Sequence, residues 1–306
     1  MKSRISVIIP TYNGWNTLKD CITSILNQSL APYEIIVVDN ASVDGTWENI
    51  SNYVDSFSRV NSKKVLADNL NFKFKIIRNK KNLGVTGGRN TGIRLADKRT
   101  DYLFFFDHDM VADKNMFQNL IKIAEGDSSS GIITPKVYYW EDKKRIWSAG
   151  TGINLWTGQV LFRGGKDNGQ YEKTEEVQVA PAAMFVKKEV IAKVKFFDNR
   201  YFATYEDTDF CFRAKKAGFK IIYEPKAIAY HKISPDPEDE AKRLLSRGYL
   251  VGKNRILFMK DFGKSFLIFF LFLPIYCLHY LKLAVEFHNL KGWKDFMRGT
   301  IVGLFT

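Results

Sequence analysis

Cysteine is scarce in this chain: Cys21, Cys211 and Cys277 are its three in 306 residues, at no spacing that makes a zinc knuckle or a CxxC redox pair. They read as packing residues of a reducing compartment. No signal peptide is legible at the start, because the apolar run of MKSRISVIIPTYNG stops at Pro10 and is too short for an h-region. A cytoplasmic protein is expected. Two nucleotide-binding fingerprints are missing as well. The segment from Gly84 to Gly92, GVTGGRNTG, is not G-x-G-x-x-G, and no G-K-[ST] loop occurs. Internal repeats are absent, and the basic residues fall in no recognisable DNA- or RNA-binding pattern, so no nucleic-acid partner is expected. With 45% hydrophobic and 26% charged residues the composition is globular, which argues against a disordered, collagenous or multi-span membrane chain.

Acidic residues are the minority, 33 against 46 Lys and Arg, for a net charge of +13. The excess is concentrated: from Ala241 to Thr306 eleven basic residues face three acidic ones. The same stretch holds the most apolar run, SFLIFFLFLPIYCLHYL from Ser265 to Leu281, uncharged and flanked by Lys264 and Lys282. Basic residues around aromatic-rich apolar sequence suit an anionic membrane surface. A spanning helix needs about 20 residues, and Pro274 and His279 interrupt this run. Embedding in one leaflet is therefore the expectation, with crossing and a buried core helix as the alternatives. A chain ending near residue 262 is expected to stay folded without the run.

The first half alternates strand and helix signals. Ile5 to Ile9 is a strand stopped by Pro10. Helical spacing of Trp15, Leu18, Ile22 and Leu26 follows. Glu34 to Val38 is a strand buried on both faces and ends at Asp39. A helix runs from Thr46 to about Phe57, and Phe74 to Ile77 is a third strand. Gly84 to Ala96 reads as a glycine-rich turn and helix, and Tyr102 to Phe106 as a fourth strand running into Asp107-His108-Asp109. The polar segment from Tyr53 to Asn71 lengthens the second crossover. Such alternation predicts an α/β fold with a mostly parallel doubly wound sheet, in which ligands bind beyond the carboxyl ends of the strands. Past Gly131 come extended segments (Ile132 to Tyr139, Val177 to Val186), a helix from Glu206 to Ala217, and strand pieces at Lys220 to Tyr223 and Ala227 to Tyr230. Ser234-Pro235-Asp236-Pro237 punctuates the chain. Residues 1–235 are expected to form the catalytic domain, and 236–306 a basic, apolar helical extension that associates with membrane.

Candidate chemistry sits at strand ends. Asp107 and Asp109 flank one residue and could reach one divalent cation through hard oxygen ligands. Composition alone predicts about one D-x-D by chance, and a second stands at Asp207-Thr208-Asp209, so position singles out the first. The glycines around Arg89 can be read as a phosphate loop or as helix packing. Glu206, Asp207 and Asp209 open a helix, where simple dipole complementarity explains Asp209. Asp207, among Tyr201, Phe202, Tyr205 and Phe210, is in surroundings that raise a carboxyl pKa and favour base chemistry. His231, ending a strand, is by itself a structural histidine.

In combination, SVIIPTYNG, EIIVVDNASVDGT, NLGVTGGRNTGI, FFFDHD, YEDTDFCFRAKKAGFKIIYEPKAIAYH and KNRILFMK occur in this order over roughly residues 4–260. The chain resembles the family 2 glycosyltransferases, particularly the rhamnosyltransferase-like branch. That resemblance implies a GT-A nucleotide-diphosphosugar fold and metal-dependent sugar transfer with inversion at C1. By position it implies that Pro10, Thr11, Asp39 and Asn40 line a nucleoside pocket with Asp39 at its base, and that Arg89 and Asn90 lie near the ribose and diphosphate. It further implies that Asp107 faces the ribose and the metal, that Asp109 and His231 are metal ligands, and that Asp207 is the catalytic base with Glu206 holding the acceptor. A nitrogen ligand favours Mn²⁺ over Mg²⁺. The chain departs from the family pattern at Pro181, where glycine is common.

Expected partners are a nucleotide-sugar donor, with dTDP-rhamnose favoured and UDP- or GDP-sugars open, a glycan or lipid-linked glycan acceptor of cell-surface polysaccharide assembly, and an anionic membrane surface at the cytoplasmic face. A nucleotidyltransferase would open with a Gly-rich basic loop after the first strand, where Pro10-Thr11-Tyr12-Asn13 stands instead. A processive synthase would carry Q-x-x-R-W and several spans. A catalytically silent sugar-nucleotide or membrane-binding module would not need Asp107, Asp109, Asp207 and His231 together.

Overall fold

The computed structural model describes residues 3–61 and 72–306, so residues 62–71 of the polar second crossover lie outside the described residues. Strands β1 (Ile5–Thr11), β2 (Glu34–Asp39), β3 (Lys73–Arg78) and β4 (Tyr102–Phe106) alternate with helices α1 (Trp15–Leu26), α2 (Thr46–Asn61) and α3 (Gly84–Leu95). They lie parallel in the order β3-β2-β1-β4. β1, β2 and β4 are buried throughout, which is why they read as near-continuous apolar runs. The sheet grows from β1 to β3 in one direction and resumes with β4 on the other side of β1. The carboxyl ends of β1 and β4 therefore border a switch-point crevice.

Beyond β4 the expected parallel order stops. The chain continues through β5 (Met110–Ala112), α4 (Met116–Gly126), β6 (Ser130–Tyr139), β7 (Arg145–Ser148), β8 (Thr151–Ile153), β9 (Val160–Phe162), β10 (Gly165–Lys166), β11 (Glu175–Val177) and β12 (Ala183–Lys187). After α5 (Lys188–Val194) and α6 (Glu206–Lys216) comes β13 (Lys220–His231). β12 runs antiparallel along both β4 and β6, so the sheet is mixed. A strand buried on both faces has the same apolar pattern in either direction, and the sequence therefore could not distinguish the two. The stretch Val177 to Val186 is broken at 178–182. The two extended pieces after Lys220 are one strand, irregular between Glu224 and Ile228.

Asp236 begins the helical extension by accepting a 2.8 Å hydrogen bond from the Glu238 amide, with Pro237 at the first helical position. Helices α7 (Pro237–Ser246), α8 (Gly248–Phe262), α9 (Phe266–Glu286) and α10 (Leu290–Phe305) follow. Ile256, Phe258 and Met259 of α8 and Phe269 and Leu273 of α9 share one core cluster with Ile8, Phe105 and Phe210. α10 lies so close to α8 that a Cβ on Gly252 would strike the Phe296 carbonyl and Thr300. The expectation for a chain ending near residue 262 is corrected by this packing: the cut would strip α10 from α8 and the apolar side chains of α9 from the core, so destabilisation is expected.

α9 is the one helix among the described residues long and apolar enough to cross a membrane by length and composition. Phe269, Leu273, Tyr280 and Ala284 face the protein, while Leu267, Leu271 and Leu278 on the opposite side are about two-thirds or more exposed.

Candidate active site

The register of β1 against β2 sets Thr11 beside Asp39 at the crevice. Pro10, Thr11 and Asn40 line a pocket of about 180 Å³ together with Tyr12, Gly84, His108 and Phe202. Asn40 braces it by donating to the Gly84 carbonyl (3.0 Å) and accepting from Asn79 (2.8 Å). Asp39 does not line it. Its carboxylate is fully buried below, accepting from the Ser42 amide and hydroxyl and pairing with Arg78 at 3.3 Å. It acts in this structure as the anchor of the loop after β2.

Gly84 opens α3 with φ +69°, and the Phe202 carbonyl sits where its side chain would be. Only glycine meets both conditions. The first-turn amide of Thr86 points at that carbonyl, 3.4 Å away. Helix and loop packing thus accounts for this glycine better than a phosphate loop does. Arg89 and Asn90 are likewise not at the pocket wall. Asn90 donates to the Phe197 carbonyl (2.9 Å) and to Asn199 (3.0 Å) and accepts from the Phe197 amide. Arg89 is fully buried, donating to Asp107 Oδ1 at 2.8 Å and to Glu206 Oε1 at 3.3 Å. One guanidinium therefore ties the end of β4 to the start of α6.

After Asp107 the chain turns tightly, with the Met110 amide donating to the Asp107 carbonyl (3.1 Å), and enters β5. β5 pairs with β13 so that His231 lies opposite Met110. This long-range register puts His231 Nε2 3.2 Å from Asp109 Oδ2. Burial alone would raise the Asp109 carboxyl, but the neighbouring His231 and His108 rings hold it well below the usual carboxylate range. The His231 ring also packs edge-on against Trp147, and its Nδ1 is buried without a partner. Among the described residues no group of three or more His, Cys, Asp or Glu converges on one point. Asp109 and His231 do present one hard oxygen and one imidazole nitrogen side by side. That donor pair fits a divalent cation that completes its shell with diphosphate oxygens and water.

Residue 182, next to Pro181, departs from ordinary backbone. Ala182 has φ +59°, and its carbonyl accepts from the Asp107 amide at 3.2 Å. A left-handed alanine is thus held directly against the Asp107 turn.

Glu206 and Asp207 start α6 on the other side of the crevice. Burial is the main cause that raises the Glu206 carboxyl; the Asp207 charge adds to it and Arg89 opposes it. Asp207 is half-buried and is also raised by burial, against the pull of Arg89 and of the Thr208 amide, which donates to it at 2.6 Å. Asp209 is not a simple helix-start charge. It is buried and paired with Arg213 one turn on, at 2.6 Å. His108 and Lys232 were not singled out from the sequence. Both line a second cleft of about 390 Å³ with Asn13, Trp15, Asp44 and Asp109. The signal available was position alone, since His108 is the middle of the D-x-D and Lys232 follows His231.

A parallel half-sheet with a switch-point pocket, continued by a mixed half that brings acidic residues to the same edge, defines a GT-A protein. The chain belongs to glycosyl transferase family 2, whose model matches residues 6–194, and the model of glycosyl transferase family group 2 matches residues 102–288. It is 24% identical over 204 residues to the glycosyltransferase GlyG of Streptococcus pneumoniae, covering 66% of this chain and 62% of that protein. It is 25% identical over 267 residues to the glycosyltransferase AglE of Haloferax volcanii, covering 82% and 73%. The solved structure of the mannosyltransferase PcManGT from Pyrobaculum calidifontis, in complex with GDP-Man and Mn²⁺, matches with a TM-score of 0.60 at 15% identity, over 100% of this chain and 76% of that one.

Proposed function

We propose that this chain is an inverting, metal-dependent glycosyltransferase that moves a sugar from a nucleoside diphosphate to a hydroxyl of a glycan or lipid-linked glycan at the cytoplasmic face of a membrane. The observation that carries the reading is the Arg89 bridge, which holds Asp107 and Glu206 on one guanidinium. It brings the strand end suited to a diphosphate and the helix start suited to a base into one crevice.

In this reading Pro10, Thr11 and Asn40 bound the nucleoside site. Asp109 and His231 would hold Mn²⁺ or Mg²⁺, which when bound neutralises charge on the departing diphosphate. Asp207 takes the proton of the acceptor hydroxyl as the new bond forms at C1, in a single displacement with inversion. Glu206 orients the acceptor, and Arg89 holds Glu206 from below. The GDP-Man and Mn²⁺ of the PcManGT structure and the nucleotide-sugar chemistry of the relatives support a sugar-nucleotide donor. The test is a screen of sugar nucleotides, dTDP-rhamnose first and UDP- and GDP-sugars next, for Mn²⁺-dependent release of nucleoside diphosphate. No release from any donor would overturn the reading.

A pH profile tests the base. Asp207 works only when ionised, and burial raises its pKa. Transfer should therefore be lost, as pH falls, at a higher pH than an exposed aspartate would give. An acid limb of kcat within the ordinary aspartate range would contradict this.

Membrane attachment rests on α9, whose exposed leucines are flanked by Lys264 and Lys282. Lys264 also stands 5.6 Å from the ring of the half-exposed Trp156. A helix with one face packed on the protein and the other apolar and open lies in a leaflet more readily than it crosses. Leu271→Glu with Leu278→Glu should lower binding to anionic phospholipid vesicles by about tenfold or more, from the lost burial of two leucines. The melting temperature should hardly change. Vesicle binding equal to the parent chain would remove α9 as the contact.

A further inference from the structure

The segment KNRILFMK belongs to the family resemblance but has no role in the chemistry above. Its first three residues lie on α8, and all three reach one loop. Lys253 Nζ donates to the Arg200 carbonyl at 3.3 Å. Asn254 Nδ2 donates to the carbonyls of Ala203 (2.9 Å) and Thr204 (2.8 Å). Arg255 Nε donates to the Tyr205 hydroxyl at 3.3 Å, while its guanidinium stacks 4.0 Å over the Tyr276 ring of α9. Asn254 is fully buried within a helix that otherwise packs Val251, Ile256, Leu257 and Phe258 inward. A buried amide in such a helix is costly unless its polar atoms are partnered; both donors of Asn254 are used on this loop, while its Oδ1 is buried without a partner.

The loop is strained. Thr204 and Tyr205 have φ values of +63° and +68°, two consecutive left-handed residues that are not glycine. Tyr205 is the residue from which α6 starts, with Glu206 and Asp207 next. The backbone at 204 and 205 thus sets the direction in which both carboxylates leave the loop. A left-handed pair turns the carbonyls of 203 and 204 toward one side, and the two protons of a single amide can take both. From the other side the loop is stopped by Gly84, against which the Phe202 carbonyl rests. α8 is in turn fixed by the close approach of α10.

We propose that Asn254, supported by Arg255, is a positioning residue: it holds the left-handed Thr204–Tyr205 turn that aims Glu206 and Asp207 into the crevice. The inference rests on the role given to Asp207, and it links the helical extension to the chemistry, since Arg255 touches both the loop and α9.

The test combines amide hydrogen exchange of residues 202–208 in the donor-free protein with kcat and donor Kd. Asn254→Ala should speed exchange there by about tenfold or more as the loop opens locally. It should lower kcat by about ten- to a hundredfold, the effect of misplacing a reacting group by a fraction of a bond length or more. Donor Kd should change less than about threefold: Phe202 and Ala203 border the nucleoside pocket, but its Pro10, Thr11 and Asn40 walls lie outside the loop. Glycine adopts the left-handed region without strain, so in a Thr204→Gly background the same substitution should cost no more than about threefold in kcat. A merely structural role for Asn254 would not give that rescue. Tyr205→Phe, at a part-exposed position, removes only the hydroxyl that Arg255 reaches and should speed exchange in the loop by about threefold with donor Kd unchanged. If Asn254→Ala does not fold, Asn254→Ser, which offers the two carbonyls a single donor, decides the matter by the same exchange and kcat readouts. Unchanged exchange in the loop, equal losses of kcat and donor affinity, or no rescue by Thr204→Gly would overturn the proposal. If no sugar nucleotide supports turnover by the parent chain, the functional reading fails, while exchange in the donor-free protein still decides whether the clamp exists.

Discussion

Asp207→Asn is expected to lower the transfer rate by about 10² to 10⁴ with little change in donor Kd, the range for loss of a general base. The substitution keeps the shape of the side chain and one oxygen to accept from the Thr208 amide, so the start of α6 should persist. What disappears is basicity at a carboxylate that makes no ion pair, whereas Asp107 and Glu206 are both held by Arg89 and Asp109 lies beside His231. Glu206→Gln should be milder in rate, because an amide oxygen can still accept from Arg89. Asp209→Asn should show itself in stability and not in kcat, because it weakens a buried partner of Arg213 and no face of Asp209 meets the crevice. Initial rates and donor Kd for the three variants with one acceptor check this. Near-normal turnover by Asp207→Asn, or a loss of donor binding as large as the loss of rate, would remove the assignment.

The parts of this site that depend on one strand were legible in the sequence, and the parts that depend on two were not. β2 and β4 are apolar runs that end at Asp39 and just before Asp107, so both carboxylates could be placed at strand ends without a structure; Pro10 does not stop β1, which runs on through it to Thr11 in register with β2. Which of these ends faces a ligand depends on what lies behind it. Asp39 and Asn90 are consumed by Ser42, Arg78 and the segment of Phe197 and Asn199, partners up to 109 residues away in the chain. Read alone, His231 was an ordinary structural histidine; only the pairing of β13 with β5 explains its place beside Asp109. Arg89 shows the same limit in reverse. Its glycine-rich surroundings suggested a phosphate contact, yet its charge is used inside the protein, where two carboxylates from separate elements meet it. Local patterns set the positions of the chemistry, and strand register and buried charge pairing decide which residues are free to perform it.

Asp109→Ala and His231→Ala are expected to weaken Mn²⁺-dependent binding of nucleoside diphosphate by about a hundredfold or more, since even residues that only orient a metal ligand are worth 10- to 100-fold in affinity. Binding in the absence of metal should be weak and nearly the same in both variants and the parent. The pair is better suited to this test than Asp107, because Asp107→Ala would leave Arg89 buried with a single partner and would confound affinity with stability. Asp109 has no such duty: it holds no buried cation, His231 Nε2 is its close neighbour, and its side chain is 28% exposed toward the cleft it shares with His108 and Lys232. His231→Ala removes the imidazole from beside Trp147 and should lower the melting temperature more than Asp109→Ala does, while the two should lose metal-dependent affinity alike. Calorimetric titration with nucleoside diphosphate, with and without Mn²⁺, separates these effects. Unchanged metal-dependent binding in both variants would take the metal away from Asp109 and His231. Loss in only one would show that the two side chains, though 3.2 Å apart, do not serve the same ion.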